Sequence, residues 1–282
     1  SYIINCSVLH SKCEHFQAAV IIEGFQTIEI LSCTFKQNQG GVLDLEKGTK
    51  TLIQNCSFLH TFGKAIEAVC IAKCHFVSMV NNYCLNSEIE AALGNIAAEN
   101  IELFFSINIT LILNKAGQGG GTYLTKAKTI WIQNTRFLTN KGVDGGGMYL
   151  SEIYFAQITN CYFIGNKVSQ DGAGVYMKNV NKVNLAFSYF KQNYALHQGG
   201  GIFLISSTQA KLNNRGLAII FNSFTSNIAN MAGSSFYVKG VNIIVVHNTI
   251  ITSNTEHMVS IITLSATTAR LINLTITQDQ SP

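Results

Sequence analysis

The chain is poor in charge and almost devoid of proline. Charged residues make up 12% of its 282 residues, and the only proline is Pro282. Among 19 basic residues only Arg136, Arg215 and Arg270 are arginines, no basic run occurs, and the net charge is +4. A nucleic-acid-binding surface needs concentrated basic residues, so the composition argues against nucleic acid as a partner.

Long apolar runs are also missing. No window of 18 apolar residues occurs, so the sequence predicts no membrane-spanning helix in this segment. No leader typical of a secretory signal opens the chain. Because the chain starts and stops within a repeat, we expect it to be part of a longer protein whose targeting signals lie elsewhere.

What the sequence does contain is a repeat. The pattern Phe-x-x-Asn occurs five times, and a glycine-rich segment leading to a pair such as Tyr123-Leu124 occurs four times. Phe137, Phe163 and Phe190 follow one another at intervals of 26 and 27 residues. A fixed period of this length is typical of a solenoid, and it favours an extended surface over an active-site cleft.

Alignment on the phenylalanine column extends the repeat to eleven rungs. The column is predicted at Val8, Phe35, Phe58, Phe76, Leu111, Phe137, Phe163, Phe190, Phe224, Ile251 and Ile276. The two longest steps predict insertions near residues 80–100 and 205–216. We interpret residues 1–282 as a single domain.

Short alternating runs within each rung predict strands. In Ile130-Trp131-Ile132 the isoleucines are expected to point inward and the tryptophan outward. One rung then holds three short strands: the glycine-aromatic segment, the Ile-x-Ile segment and the phenylalanine segment. The sequence therefore predicts an all-β fold, a right-handed parallel β-helix solenoid of about 10–11 rungs.

An asparagine recurs three residues before the column in seven rungs, at Asn5, Asn55, Asn108, Asn134, Asn160, Asn248 and Asn273. Asparagine tolerates the left-handed conformation of a sharp corner, and stacked amides can bond one another. Asn5, Asn55, Asn108 and Asn273 also lie in glycosylation sequons, which are typical of secreted proteins. If these amides are buried in the stack, we expect them to carry no glycan.

Eight cysteines are present. Five lie two residues before the column and predict a stack of small buried thiols, although adjacent rungs are close enough for disulfides: Cys6, Cys33, Cys56, Cys74 and Cys161. Cys13, Cys70 and Cys84 lie off this column and are the better disulfide candidates. No Cys-x-x-Cys motif occurs and the seven histidines are scattered, so we expect no zinc site.

The glycine segments are interpreted as tight turns with positive φ, since no Lys-Ser/Thr pair follows them as in a phosphate-binding loop. The aromatic residues after them predict a second ladder: Tyr123, Tyr149, Tyr176, Phe203 and Phe236. Core or half-buried packing is the favoured interpretation. An outward stripe that binds sugars or another chain is the alternative.

Candidate catalytic groups are few. Asp144 and Asp171 precede glycine segments of adjacent rungs, with Lys141 and Lys167 nearby. They could form a two-carboxylate site, or they could be turn residues that accept local backbone N–H groups. His10 and His60 share a column and are interpreted as surface residues. We expect no catalytic residue, no cofactor and no metal ligand.

The Phe-x-x-Asn repeats, alternating with Gly-Gly-Gly-x-Tyr-Leu, resemble the repeats of polymorphic outer membrane proteins, within the pectin-lyase-like β-helix class. They are also similar to repeats of large protist cell-surface proteins. The clear matches cover residues 111–240. The resemblance implies an extracellular or cell-surface adhesin or structural protein that binds other protein chains or surface glycans.

Two further functions stay open at this point. One is a polysaccharide-active enzyme or its degenerate descendant, because many β-helices cleave acidic polysaccharides. The other is a subunit of an extracellular filament, because unpaired terminal strands can stack end to end.

Overall fold

The computed structural model describes residues 1–11, 18–63, 68–89, 93–206, 216–253 and 262–278. All regular secondary structure in these ranges is β-strand, and the strands pair parallel to their neighbours one repeat away. Each repeat contributes to three faces. The expected all-β parallel solenoid is confirmed.

Face 1 follows the glycine segments and contains Ala18–Glu23, Gly41–Glu46, Val69–Ala72, Met148–Ser151, Val175–Lys178 and Ile202–Ile205. Face 2 contains Tyr2–Ile4, Thr27–Leu31, Lys50–Gln54, Phe76–Val80, Phe155–Thr159, Lys182–Ala186 and Gly216–Ile220. Four strands run through both of these faces: Gly94–Ile107, Gly119–Gln133, Phe236–His247 and Ile262–Ile272.

Face 3 is one sheet of eleven strands, made of Ser7–Leu9, Thr34–Lys36, Ser57–Leu59, Tyr83–Leu85, Thr110–Ile112, Arg136–Leu138, Tyr162–Ile164, Tyr189–Lys191, Ser223–Thr225, Ile250–Ser253 and Thr275–Gln278. Two-residue strands follow it in six repeats: Phe62–Gly63, Glu88–Ile89, Lys141–Gly142, Lys167–Val168, Tyr194–Ala195 and Ile228–Ala229. The eleven strands of face 3 agree with the predicted number of rungs.

The phenylalanine column fills the interior behind face 3. Phe137, Phe163 and Phe190 are at most 1% exposed, and their ring planes stack with centroids 4.7 Å apart. The last glycine of the glycine segment leaves room for these rings. A Cβ on Gly147 would lie 2.9 Å from Cδ1 of Phe163 and 2.6 Å from the carbonyl oxygen of Gly174. Glycine is therefore required there by close packing, with no positive φ involved.

One rung of the predicted column is wrong. Phe76 pairs with Lys50 and begins a strand of face 2, whereas Cys84 pairs with Phe58 and Leu111 in the face 3 column. A small buried thiol replaces the ring in this rung, so the motif could not be recognised. The steps around Cys84 are regular, and the insertion predicted near residues 80–100 is also wrong.

The second predicted insertion is flanked by regular pairing. Ile205 pairs with Lys178, and Gly216 pairs with Lys182, so the chain between them is longer than in the preceding repeat. The insertion predicted near 205–216 stays a prediction, because residues 207–215 lie outside the described ranges.

A left-handed residue forms the corner between faces 2 and 3 in every rung. The φ angles lie between 47° and 56° at Asn5, Ser32, Asn55, Asn81, Asn108, Asn134, Asn160, Phe187, Phe221, Asn248 and Asn273. Asparagine predominates because it bears this conformation at the smallest cost among residues with a side chain. The predicted corner is confirmed, and Asn81 is a further member that the misplaced rung concealed.

The asparagine of Phe-x-x-Asn forms a second, buried ladder that the sequence did not predict. Oδ1 of Asn140 accepts hydrogen bonds from the backbone N–H of Asn114 (3.0 Å) and from its Nδ2 (3.0 Å). Nδ2 of Asn140 donates to the carbonyl of Leu111 (3.0 Å). The same contacts recur at Asn166, Asn193 and Asn227. The amides of Asn140, Asn166 and Asn193 thus each join three rungs.

Most of the described cysteines are buried thiols of the core rather than members of disulfides. Cys33, Cys56 and Cys161 are buried at the predicted column, where Cys6 is exposed. Cys74 is also buried, but it lies at the corner before face 2 and not in the predicted cysteine column, since Phe76 belongs to face 2.

The predicted disulfide roles of two cysteines are wrong. Cys84 is a buried thiol of the core, and Cys70 forms a side-chain hydrogen bond with Asp44. The third candidate, Cys13, lies outside the described ranges.

Candidate functional site

The two carboxylates singled out by the sequence stack at the glycine segments. Oδ1 of Asp144 accepts the backbone N–H of Asp171 at 3.0 Å, and Oδ1 of Asp171 accepts the N–H of Gln198 at 2.9 Å. These are the local backbone contacts that the turn interpretation predicts. Each carboxylate caps the turn of the next rung.

Burial raises the pKa of both Asp144 and Asp171. The backbone N–H groups that they accept oppose this shift, and so does the nearby His197. Sequence reasoning missed His197, because this residue lies one position before the column formed by Asp144, Asp171 and Gln198. The structure therefore brings two carboxyls and one imidazole into electrostatic contact at this edge.

The aromatic ladder lies on the outer side of face 1. Rings stack from Tyr123 through Tyr149, Tyr176 and Phe203 to Tyr237, with centroids 4.9, 4.7, 5.0 and 5.2 Å apart. Tyr149 and Phe203 are buried and the others half-buried. The predicted half-buried packing is confirmed.

The last predicted member of this ladder is wrong. Phe236 pairs with Ile202 and is fully buried in the core, whereas Tyr237 pairs with Phe203. Two adjacent aromatic residues occur there, and the sequence alone did not show which one points outward.

Burial raises the pKa of three ladder phenols, those of Tyr123, Tyr149 and Tyr176, and it raises the pKa of Tyr149 to about 12. For Tyr176 the charges of Asp144 and Asp171 raise the pKa further. These phenols stay protonated near neutral pH and can act as hydrogen-bond donors.

A groove runs along the corner between faces 2 and 3. It encloses about 340 Å³ and is lined by Asn108, Thr110, Asn134, Arg136, Asn160 and Tyr162. We call it the corner groove. The left-handed corner places the amides on its rim, and the outward positions of face 3 supply the hydroxyl, the guanidinium and the phenol ring.

The corner amides bond one another, as predicted, but they are not buried. Nδ2 of Asn108 donates to Oδ1 of Asn81 (3.1 Å), and Nδ2 of Asn160 donates to Oδ1 of Asn134 (2.6 Å), all among exposed or half-exposed residues. We expected the sequons to carry no glycan if the corner amides were buried. The amides are not buried, so the premise of that expectation is wrong. A corner can be left-handed and exposed at once.

Aromatic residues lie in and beside the groove; Tyr162 is half-buried, whereas Phe187, Tyr189 and Phe221 are exposed. The guanidinium of Arg136 lies 5.9 Å from the ring centroid of Tyr162, which stacks on Tyr189 at 5.3 Å. Phe187 and Phe221, at the corner of the next two rungs, stack at 5.1 Å and are 55% and 47% exposed. These rings form two stacked pairs beside the polar groove, Tyr162 with Tyr189 and Phe187 with Phe221.

Other residues named from the sequence have ordinary surroundings. His10 and His60 occupy left-handed positions after face 3, and Nδ1 of His60 lies 3.2 Å from Nδ2 of Asn86. Nζ of Lys167 lies 5.0 Å from the ring centroid of Tyr194. In the ranges that the structure covers, no three His, Cys, Asp or Glu residues form a group suited to a metal ion. None of those ranges holds a helix long and apolar enough to cross a membrane.

A family model described as a right-handed β-helix region matches residues 2–224. The chain belongs to the right-handed β-helix family. The match spans most of the stacked rungs and agrees with the predicted hand. No curated protein and no solved structure matches the chain.

Proposed function

We propose that this right-handed β-helix is a non-catalytic structural and adhesive segment of a surface or secreted protein. The observation that carries the proposal is the row of exposed rings on a rigid scaffold. Phe187, Tyr189 and Phe221 are each about half exposed, at 55%, 50% and 47%. Contiguous exposed apolar groups on a soluble fold mark an interaction surface.

The location outside the cell rests on two features. The Phe-x-x-Asn and Gly-Gly-Gly-x-Tyr-Leu repeats resemble those of polymorphic outer membrane proteins of the pectin-lyase-like class, which implies surface display. The sequon at Asn55 lies at an exposed corner, where a glycan would meet no steric obstacle from the core. Partners are other protein chains or surface glycans.

Binding without cleavage is the simplest function for the exposed rings. Cleavage of a polysaccharide needs an acid, a base or a metal, and a charge-stabilising group around one bond. The carboxylates of Asp144 and Asp171 already serve as acceptors for backbone N–H groups. Arg136, on the outer side of face 3, belongs to a different part of the coil from these carboxylates, which precede the glycine segments.

Binding to immobilised glycans and to intact cells tests the proposal. We expect retention of the folded chain on a subset of acidic or neutral glycans or on cell surfaces, and loss of retention when Phe187 and Phe221 are both changed to Ser. A chain that binds neither glycans nor cells, while circular dichroism shows the native β signal, would contradict the adhesive function.

The alternative is a polysaccharide-active enzyme. One observation favours it: Asp144, Asp171 and His197 lie together, and burial raises the pKa of both carboxyls. A carboxyl whose pKa is raised by burial is a candidate for general acid catalysis. Release of sugar products that stops in the Asp144→Asn variant would favour this alternative.

A further inference from the structure

The corner groove contains a break in its amide ladder. Amide-to-amide hydrogen bonds join Asn55, Asn81 and Asn108 on one side, and Asn134 and Asn160 on the other. No such bond joins Asn108 to Asn134, although they occupy adjacent rungs with the same left-handed backbone. The break lies where the groove is lined by both side chains.

The break leaves a donor and an acceptor on adjacent rungs of the same groove. Nδ2 of Asn134 and Oδ1 of Asn108 have no hydrogen-bond partner within the described part of the chain, while the rest of each amide is held by its neighbour. Both residues line the groove, where Asn108 is exposed and Asn134 is half-buried. A hydroxyl group, which both donates and accepts, can satisfy both of them at once.

The floor of the groove adds a cation and an aromatic ring. Arg136 has no carboxylate within ion-pair distance among the described residues, whose ion pairs involve other groups. Its guanidinium is held near the face of Tyr162 at 5.9 Å. An unpaired guanidinium offers a bidentate site for a carboxylate or a sulfate, and a ring face offers a platform for a flat apolar surface.

We propose that the corner groove binds one unit of an acidic glycan. Its carboxylate or sulfate contacts Arg136, a ring hydroxyl bridges Asn108 and Asn134, and the C–H face of the sugar lies on Tyr162. This assignment rests on the adhesive function proposed above and adds to it the position of the site and the charge of the ligand.

The surroundings of the groove indicate the direction of the glycan chain. The outward column continues from Tyr162 to Tyr189, and the corner column continues from Asn160 to Phe187. Successive rungs are about 4.8 Å apart, close to the length of a pyranose unit in an extended chain. The glycan therefore runs parallel to the coil axis, with the unit after the bound one on Tyr189.

Calorimetric titration with defined oligosaccharides tests the site. The probes are an oligogalacturonate, its methyl-esterified form, which has the same rings without the negative charge, and a heparin-derived oligosaccharide as the sulfated member. We expect the charged probes to bind and the ester to bind about tenfold more weakly, since the ester cannot form a charge-assisted hydrogen bond with Arg136. Binding of the charged probes should weaken as NaCl is added.

Single substitutions locate the site. Arg136→Gln should weaken binding of the oligogalacturonate about tenfold, and Asn134→Gly, which keeps the left-handed corner, should weaken it severalfold. Arg270→Gln is the matched control, because it removes the same charge from an exposed position five rungs away on face 2 and should leave affinity unchanged. Circular dichroism checks that all three variants remain folded.

The outcomes separate the site from the function. Equal affinity of the Arg136→Gln variant and the unmodified chain, or equal affinity for the acid and its ester, would overturn the groove and leave adhesion elsewhere on the coil intact. Failure of every charged probe to bind also overturns the groove. If such a chain still adheres to cells, the adhesive function stands with a protein as its partner.

Discussion

The buried asparagine ladder predicts a large loss of stability from one small substitution, Asn166→Ala. Oδ1 of Asn166 accepts hydrogen bonds from the N–H (3.0 Å) and Nδ2 (3.2 Å) of Asn140, and its Nδ2 donates to the carbonyl of Phe137 (2.9 Å) and to Oδ1 of Asn193 (3.0 Å). A net contribution of about 1 kcal/mol for each of the four bonds gives a loss of about 4 kcal/mol. The buried N–H of Asn140, left without its partner, increases this loss.

The matched control is Asn160→Gly, at the exposed corner six residues earlier. It removes one amide bond, from Asn160 to Asn134 at 2.6 Å, and glycine retains the positive φ of 54°. The expected loss is about 1 kcal/mol, because the freed groups reach water. Equilibrium urea unfolding followed by circular dichroism compares the two variants. A control that loses as much stability as Asn166→Ala would show that the exposed ladder, and not the buried one, holds the rungs together.

Three further predictions concern the core, the thiols and the stacked carboxyls. Phe163→Ala should lower the free energy of unfolding by about 3–5 kcal/mol, since stacked rungs prevent collapse of the cavity; a loss under about 1 kcal/mol in urea unfolding would contradict this. Burial raises the pKa of Cys161 to about 12 and of Cys56 to about 11, so iodoacetamide should modify exposed Cys6 in the native chain and the other two only after unfolding, as peptide mass mapping would show. Folding raises the pKa of Asp144 and Asp171 above 3.8, so the stability that these carboxyls contribute is complete below pH 3.8 and is lost as the pH rises through their folded pKa values. The variant with both residues changed to Asn should therefore lose less stability than the unmodified chain as the pH rises through this range. Equal losses in the two chains would refute the raised pKa values.

The fold was predictable because its strongest constraints recur in every rung. The interior column needs a bulky apolar residue and the corner needs a left-handed one, so Phe163 and Asn134 could be placed from spacing alone. Where a rung satisfied the same need with another residue, alignment failed. Cys84 is small and apolar, and it carries no aromatic signal for the column that it occupies.

The site was less predictable because it depends on side-chain contacts that vary between identical motifs. Asn108 and Asn134 have the same place in the repeat and the same backbone, yet the amide ladder joins each to its other neighbour and leaves the gap between them. His197 approaches the carboxyls only through the stacking of adjacent glycine segments. Neither the gap between Asn108 and Asn134 nor the approach of His197 produces a recurring residue spacing from which it could be predicted.

The most direct test of the central claim is a turnover assay on the same acidic glycans that the chain is proposed to bind. Folded chain is incubated with oligogalacturonate and with a heparin-derived oligosaccharide, with and without Ca²⁺, and the reducing ends and unsaturated products are measured beside the bound fraction. We expect a bound fraction and no product. Product formation that disappears in the Asp144→Asn and Asp171→Asn variants would contradict the adhesive account and establish an enzyme.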